Sequence, residues 1–234
     1  MFYGEVLWNL LLMLLCYAYV ILVIIISGKL PAALHVSQKT SRKFLHAMIG
    51  NLPFVMPLFT SNIYPALVAA PFIVVTFLAS PYSPLKNSRF EGLANITEEG
   101  HPLGLVFYAI SYTLLAIFFA SQPYIVAAGI LPMAYGDSAG SLVGERYGKR
   151  TYNLVARKSV EGSIAMFCGS LLSLTIGMIF FSNFYPLHVS SVILAIVATA
   201  IVTTLAESIS PRGVDNITVP ILGALTFVLM VGGV

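Results

Sequence analysis

The charged residues of this chain are confined to short stretches between long apolar runs, a pattern that indicates a membrane-embedded helical fold. The 234-residue chain is 58% hydrophobic and only 9% charged, whereas ordinary soluble domains are about 25% charged. A helix that crosses a bilayer needs roughly 17–25 mostly apolar residues, and runs of this length recur along the chain. We therefore predict an all-α, polytopic membrane bundle that forms a single domain over residues 1–234.

The apolar runs predict about eight transmembrane helices, with roughly seven to nine possible because several runs are short or contain proline. The candidate spans are residues 5–27, 44–60, 63–80, 103–121, 123–144, 163–181, 188–206 and 218–233. The first run lacks a basic flank and is too long for a signal-peptide core, so we interpret it as the first span. Cys16 and Cys168 lie inside apolar runs, which favours free thiols over a disulfide.

The distribution of charge predicts which side of the membrane carries the functional site. All twelve lysines and arginines fall in residues 28–43, 81–102, 145–158 and 207–217. In the eight-span arrangement these four stretches are alternate loops, so they lie on the same side of the membrane. The positive-inside rule assigns that side to the cytosol, and both termini are then on the opposite side. Eight of the nine acids, all except Glu5, lie on the same side of the membrane in this arrangement. The positive-inside rule concerns lysine and arginine and does not require the acids to follow them. We predict one active site on the cytosolic face, built from four loops; the alternative is that these acids only solvate the loops.

The net charge of the chain, +3, gives no indication of a nucleic-acid partner.

The segment from Gly136 to Ser163 concentrates residue types that bind nucleotides. Glycines lie there among five cations and three carboxylates. Glycine lets backbone amides approach a ligand closely, lysine and arginine bind phosphate oxygens, and carboxylates hold the Mg²⁺ that accompanies phosphates. The candidate nucleotide-binding residues are Gly136, Gly140, Gly144, Arg146, Lys149, Arg157, Lys158, Ser159 and Gly162.

Asp137 is expected at the membrane boundary rather than in open water. Only thirteen residues of the predicted span precede Gly136, too few to cross a bilayer, so the helix should continue through Asp137 towards Gly144. A carboxylate at membrane depth is costly and by default marks a functional site. The glycines at every fourth position from Gly136 to Gly148 equally fit close helix packing, and the two interpretations are compatible.

The next apolar run begins with a helix start that has both a structural and a functional interpretation. Ser159 or Ser163 would cap the helix, and Glu161 would suit its first turn. A helix N-terminus also binds anions, with Lys158 directed at the same phosphate.

The remaining charged stretches supply accessory candidates. Arg42 and His46 are spaced to share one helical face, although a positive-inside anchor also explains Arg42. Asp215 resembles a helix entry but would equally provide oxygen ligands. The accessory candidates are Arg42, Lys43, His46, Glu98, Glu99 and Asn216. The chain contains no Walker A sequence, nucleophile elbow or zinc-ligand spacing, so the site is not a P-loop.

Four sequence blocks together resemble one enzyme family. They are Gly136-Asp137-x-Ala139-x-x-x-Val143-Gly144-x-x-x-Gly148, Lys158-Ser159-x-Glu161-Gly162-Ser163, Arg42-Lys43-x-x-His46 and Asp215-Asn216-x-Thr218-x-Pro220. This pattern resembles the CTP-dependent polyprenol kinases, which include dolichol and phytol kinases. The resemblance implies transfer of the γ-phosphate of CTP to a polyprenol, dolichol, phytol or geranylgeraniol type of alcohol within the bilayer. It also implies Mg²⁺ or another divalent cation.

On this interpretation three acids and one lysine carry the chemistry. Asp137, Glu161 and Asp215 would bind the metal, and Lys158 would neutralise triphosphate charge together with the neighbouring cations. Asp137, Glu161 and Lys158 are the catalytic candidates; alternatively, one carboxylate such as Asp137 would accept the proton of the attacking hydroxyl instead of binding the metal.

Two alternatives belong to other classes of protein. Phosphatidate cytidylyltransferases carry similar Asp and Lys-x-x-Glu-Gly blocks, but their late Gly-Gly…Asp-Arg-x-Asp signature is replaced here by the sequence from Ser210 to Asn216. An anion or lipid transporter would place polar residues near the midplane in broken helices, whereas the charges here stay near one face.

Overall fold

The computed structural model describes residues 3–84, 102–211 and 213–232, and it confirms the helical class of the fold. The helices are α1 (Tyr3–Leu34), α2 (Gln38–Ile49), α3 (Ile63–Leu78), α4 (Gly104–Phe119), α5 (Pro123–Leu131), α6 (Asp137–Tyr147), α7 (Val160–Phe181), α8 (Val189–Ile209) and α9 (Asp215–Val231). A 3₁₀ helix (Leu52–Leu58) follows α2, and a π-helical turn (Pro132–Gly136) joins α5 to α6. The all-α prediction missed one element, an antiparallel hairpin of β1 (Thr151–Asn153) and β2 (Arg157–Ser159) between α6 and α7.

Three helices of the described chain are long and apolar enough to cross a membrane, namely α1, α7 and α8. The helices α3, α4 and α9 are apolar but shorter. Large apolar side chains are exposed around the bundle, including Phe118 at 72%, Leu194 at 70% and Leu229 at 81%. Such side chains suit contact with hydrocarbon. The complete eight-span arrangement and the sides of the termini stay predictions.

The predicted span over residues 44–60 is not one helix. The helix α2 begins at Gln38, where the Ser37 hydroxyl accepts a hydrogen bond from the Thr40 backbone, and it ends at Ile49. The chain then continues as the short 3₁₀ helix, which contains Pro53 and Pro57. Proline lacks the backbone N–H that an α-helix interior requires, which explains the break. As a result α2 is a short helix that brings its polar residues to one end of the bundle.

The segment from α5 to α6 is a continuous helical rod in the centre of the bundle. The predicted continuation of this helix past Asp137 is confirmed, because helical structure runs from Pro123 to Tyr147. Every residue of α5 is buried. The Asp137 backbone N–H donates to the Pro132 carbonyl, five residues earlier, and so closes the π-helical turn. Such turns often occur at functional sites, and this one ends at the carboxylate singled out by the sequence.

The glycine stripe allows α6 to lie directly against the start of α7. A Cβ atom built on Gly140 would lie 3.0 Å from the carbonyl oxygen of Gly162, and one built on Gly162 would lie 2.9 Å from that of Gly140. A Cβ atom on Gly144 would lie 2.9 Å from the Ser159 hydroxyl. Larger residues would separate the two helices, so the stripe serves close packing.

Candidate active site

A polar cavity of about 430 Å³ opens where α2, α6, the hairpin and the ends of α7, α8 and α9 meet. Its volume lies in the range typical of small-molecule sites. Five cations and four acids line it, together with small residues of α6 and α7. The charged lining residues are Lys39, Arg42, Lys43, Asp137, Glu145, Arg157, Lys158, Glu207 and Asp215.

Three carboxylates from three different helices converge in this cavity. Asp137 is the first residue of α6, Glu207 lies in the last turn of α8, and Asp215 is the first residue of α9. One oxygen from each lies within 4.8 Å of the others, and the three residues are only 5%, 8% and 8% exposed. Carboxylates held this close in a buried site repel one another unless protons or cations compensate their charge.

Two lysines contact this cluster. The Lys43 ammonium of α2 contacts Asp137, and the Lys158 ammonium of β2 contacts Glu207. Burial alone would lower the pKa of Lys158, but the Glu207 carboxylate, supported by Asp137 and Asp215, raises that pKa above its ordinary value. Lys158 therefore stays charged at neutral pH and provides a fixed positive charge in the cavity.

The β-hairpin holds Lys158 in position. Lys158 pairs with Tyr152 across the two strands. The Tyr152 hydroxyl is hydrogen-bonded to Ser163 at 2.6 Å and to Ser208 at 2.9 Å. Since Ser163 belongs to α7 and Ser208 to α8, these bonds connect the hairpin to both helix ends beside the carboxylate cluster.

Of the two predicted caps for α7, Ser159 is the one that the structure uses. Its hydroxyl accepts a hydrogen bond from the Gly162 backbone at 3.1 Å. Glu161 lies in the first turn as expected, and its carboxylate accepts hydrogen bonds from the backbone N–H groups of Lys149 at 3.1 Å and Arg150 at 3.3 Å. The contact fastens the start of the hairpin to α7.

The structure therefore does not bring Glu161 together with Asp137 and Asp215. The described carboxylate cluster contains Glu207 instead. Helical side chains lean towards the N-terminus of their helix, and in the first turn of α7 this direction takes Glu161 to the backbone amides just before β1. We accordingly replace Glu161 by Glu207 as the third candidate metal ligand.

The other candidates for nucleotide binding separate into two groups. Those that line the cavity are Gly140, Gly144, Arg157, Lys158, Ser159 and Gly162. Arg146 and Lys149 are exposed and do not line it; the Arg146 guanidinium lies 5.4 Å from the centre of the Tyr147 ring. Gly136 instead faces Ser170 and Met166 of α7.

The accessory candidates also differ in their positions. Arg42 and Lys43 are buried and line the cavity. His46 is buried one turn further along α2 and stacks on Tyr108 with ring centres 5.1 Å apart. Asn216 donates to the Asp215 carboxylate at 3.1 Å and so orients it. The candidates Glu98 and Glu99 lie outside the described residues.

Three charged residues of the cavity, Glu207, Lys39 and Glu145, were not predicted as site residues, and the first two had a signal in the sequence. Glu207 is the only acid between Glu161 and Asp215, and it directly follows a long apolar run. Lys39 precedes Lys43 by one helical turn and forms an ion pair of 3.2 Å with Glu145 of α6.

The sequence aligns with named enzymes of isoprenoid metabolism. It is 39% identical over 129 residues to a phytol kinase of Synechocystis sp., an alignment that covers 53% of each chain. It is 30% identical over 206 residues to a probable phytol kinase 2, chloroplastic, of Oryza sativa, which covers 81% of this chain and 67% of the rice protein. This chain belongs to the polyprenol kinase family. The resemblance inferred from the sequence blocks is thereby confirmed.

Another member of the family carries the name of a different alcohol. The chain is 30% identical over 203 residues to a farnesol kinase, chloroplastic, of Arabidopsis thaliana, covering 82% of this chain and 66% of the relative. The chain thus spans about half the length of the Synechocystis phytol kinase and about two thirds of the rice and Arabidopsis relatives. No protein-family model matches the chain, and no solved structure matches it.

Proposed function

We propose that this chain transfers the γ-phosphate of CTP to the hydroxyl group of an isoprenoid alcohol at the cytosolic boundary of a membrane. The observation that carries the proposal is the convergence of Asp137, Glu207 and Asp215 with Lys43 and Lys158 in one cavity at the end of an apolar bundle. The names of the relatives support the kinase activity and the isoprenoid acceptor. The proposal that CTP is the phosphate donor is supported by the resemblance of the sequence blocks. The proposal that the site faces the cytosol is supported by the distribution of lysine and arginine.

A divalent cation fits the carboxylate cluster. Asp137, Glu207 and Asp215 would hold it, because carboxylate oxygens are the ligands that Mg²⁺ prefers and these three are close enough to share one ion. When bound, Mg²⁺ neutralises negative charge on the phosphates.

The basic residues of the cavity bind and orient the triphosphate. Arg42 lines the cavity from α2, and Arg157 and Lys158 line it from β2, so that two separate elements supply positive charge to the phosphates. Arginine engages phosphate oxygens through paired N–H donors. Phosphoryl transfer depends mainly on positioning and charge neutralisation, which this set of residues supplies.

At the γ-phosphorus the reaction forms one bond and breaks one, and a proton moves. The alcohol oxygen attacks the γ-phosphorus, and the bond from that phosphorus to the bridging oxygen breaks, so that CDP leaves with the bonding electrons. The hydroxyl proton passes to a carboxylate of the cluster. The product is an isoprenyl monophosphate.

Product analysis with labelled CTP tests this proposal. Purified protein would be incubated with Mg²⁺, CTP labelled at either the α- or the γ-phosphate, and one of three acceptors, namely farnesol, phytol or phosphatidate. We expect γ-label in the lipid and release of CDP. Release of pyrophosphate with α-label in the lipid would instead identify a cytidylyltransferase. Asp137→Asn should remove the activity, whereas Glu5→Gln in the first turn of α1 should not.

A further inference from the structure

A narrow apolar recess lies beside the charged cavity, between α1, α2, α3 and α4. Its volume is about 50 Å³, and the side chains that line it include Ile24, Leu45, Phe72 and Ala109, one from each helix. A recess of this size has room for a single hydrocarbon chain but not for a bulky polar group. It is therefore a different kind of site from the cavity that holds the carboxylates.

Two of the three hydroxyl groups on the residues that line this recess, those of Thr76 and Tyr108 but not of Tyr112, have hydrogen-bond partners within the described part of the protein. The Thr76 hydroxyl donates to the Phe72 carbonyl at 2.6 Å, and the Tyr108 hydroxyl donates to the His46 carbonyl at 3.3 Å. A polar ligand entering here would lose its water without gaining hydrogen bonds from these two groups, which is unfavourable. The chemistry of the recess thus selects an apolar occupant.

The recess and the charged cavity meet along one face of α2. Arg42 lines the cavity, whereas Leu45 and Ile49 line the recess. Residues three or four apart on a helix are direct neighbours, with Cβ atoms about 5–6 Å apart. The two sites are therefore separated by about one helical turn, and the recess leads away from the cavity along α2.

We propose that the recess binds the isoprenoid chain of the acceptor, with the hydroxyl end directed into the charged cavity. This proposal rests on the proposed function. The part of α4 that lines the recess runs from Leu105 to Tyr112, about 10 Å at the rise of an α-helix. With a volume of about 50 Å³, the recess has room for about one branched unit, the one nearest the hydroxyl, and the rest of a longer chain lies in lipid. It selects for branching near the hydroxyl rather than for total chain length.

Filling the recess provides a kinetic test. Ala109 is half-buried and lines the recess, so Ala109→Phe should raise the KM for farnesol about tenfold and leave the KM for CTP unchanged. The matched control is Val74→Phe, since Val74 belongs to α3 but is 60% exposed and does not line the recess. An unchanged farnesol KM in Ala109→Phe, or an equal rise in the control, would overturn the assignment.

Photocrosslinking of the unmodified protein provides a test that does not depend on folding of a variant or on catalysis. A farnesol analogue with a diazirine on its chain would be irradiated with the full chain without nucleotide. Crosslinks in the lining residues of α2 and α4 support the assignment, even if no phosphoryl transfer is found. Crosslinks confined to α8 and α9 overturn it, even if the protein phosphorylates farnesol.

Discussion

The Lys158 ammonium contacts the Glu207 carboxylate across 49 positions of the sequence, and this contact joins the β-hairpin to the end of α8. Glu207 is at the same time one of three clustered carboxylates. The position of the hairpin and the geometry of the cluster therefore depend on each other. Predictions for activity and for stability follow from this arrangement.

Glu207→Gln should abolish activity although the sequence blocks do not include this residue. The amide removes one charge and one strong oxygen ligand from the cluster, and we expect kcat to fall at least about 100-fold. Initial rates of γ-label transfer to farnesol over a range of Mg²⁺ concentrations measure the effect. Glu5→Gln is the control, and a Glu207→Gln enzyme with normal kcat and normal Mg²⁺ dependence would remove Glu207 from the site.

Glu161→Gln should impair nucleotide binding without changing metal dependence. The amide oxygen accepts hydrogen bonds from the Lys149 and Arg150 backbone amides, just before β1, less strongly than the carboxylate does, so the hairpin that carries Lys158 is held less firmly. We expect a rise in the KM for CTP of no more than about tenfold. A large loss of kcat that excess Mg²⁺ restores would show that Glu161 is a metal ligand after all.

Lys43→Met should destabilise the protein, because it leaves the buried Asp137 carboxylate without its lysine. Removing one partner of a buried ion pair costs about 3–5 kcal/mol. Thermal unfolding in detergent measures the loss, and adding Asp137→Asn should recover part of it. Lys39→Met breaks the exposed pair with Glu145 and should cost no more than about 1 kcal/mol. Equal losses for the two lysines would contradict the buried contact.

Gly162→Ala should destabilise the junction of α6 and α7. The added methyl group would lie 2.9 Å from the Gly140 carbonyl oxygen, so the helices must move apart at a cost of about 1–3 kcal/mol. Gly4→Ala is the control because a Cβ atom there has nothing within 4 Å. Similar unfolding temperatures for the two variants would argue against close packing along the stripe.

Local features of this chain followed from the sequence, whereas the convergence of its side chains did not. The helix through Asp137, the close-packed glycines and the Ser159 cap depend on neighbouring residues, so spacing was sufficient to predict them. The direction of Glu161 depends on a hairpin that the charged stretch gave no reason to expect. Glu207 reaches the cluster because α8 ends beside the start of α9, a tertiary relationship that no local pattern contains.

Binding of Mn²⁺ to the purified protein tests the central claim, that Asp137, Glu207 and Asp215 form the cation site. Mn²⁺ replaces Mg²⁺ at oxygen ligands, and electron paramagnetic resonance distinguishes the free ion from the bound one. We predict that the wild type and Glu161→Gln bind one Mn²⁺ with similar affinity and that Glu207→Gln binds it at least about tenfold more weakly. Unchanged binding by Glu207→Gln together with loss of binding by Glu161→Gln would contradict the claim.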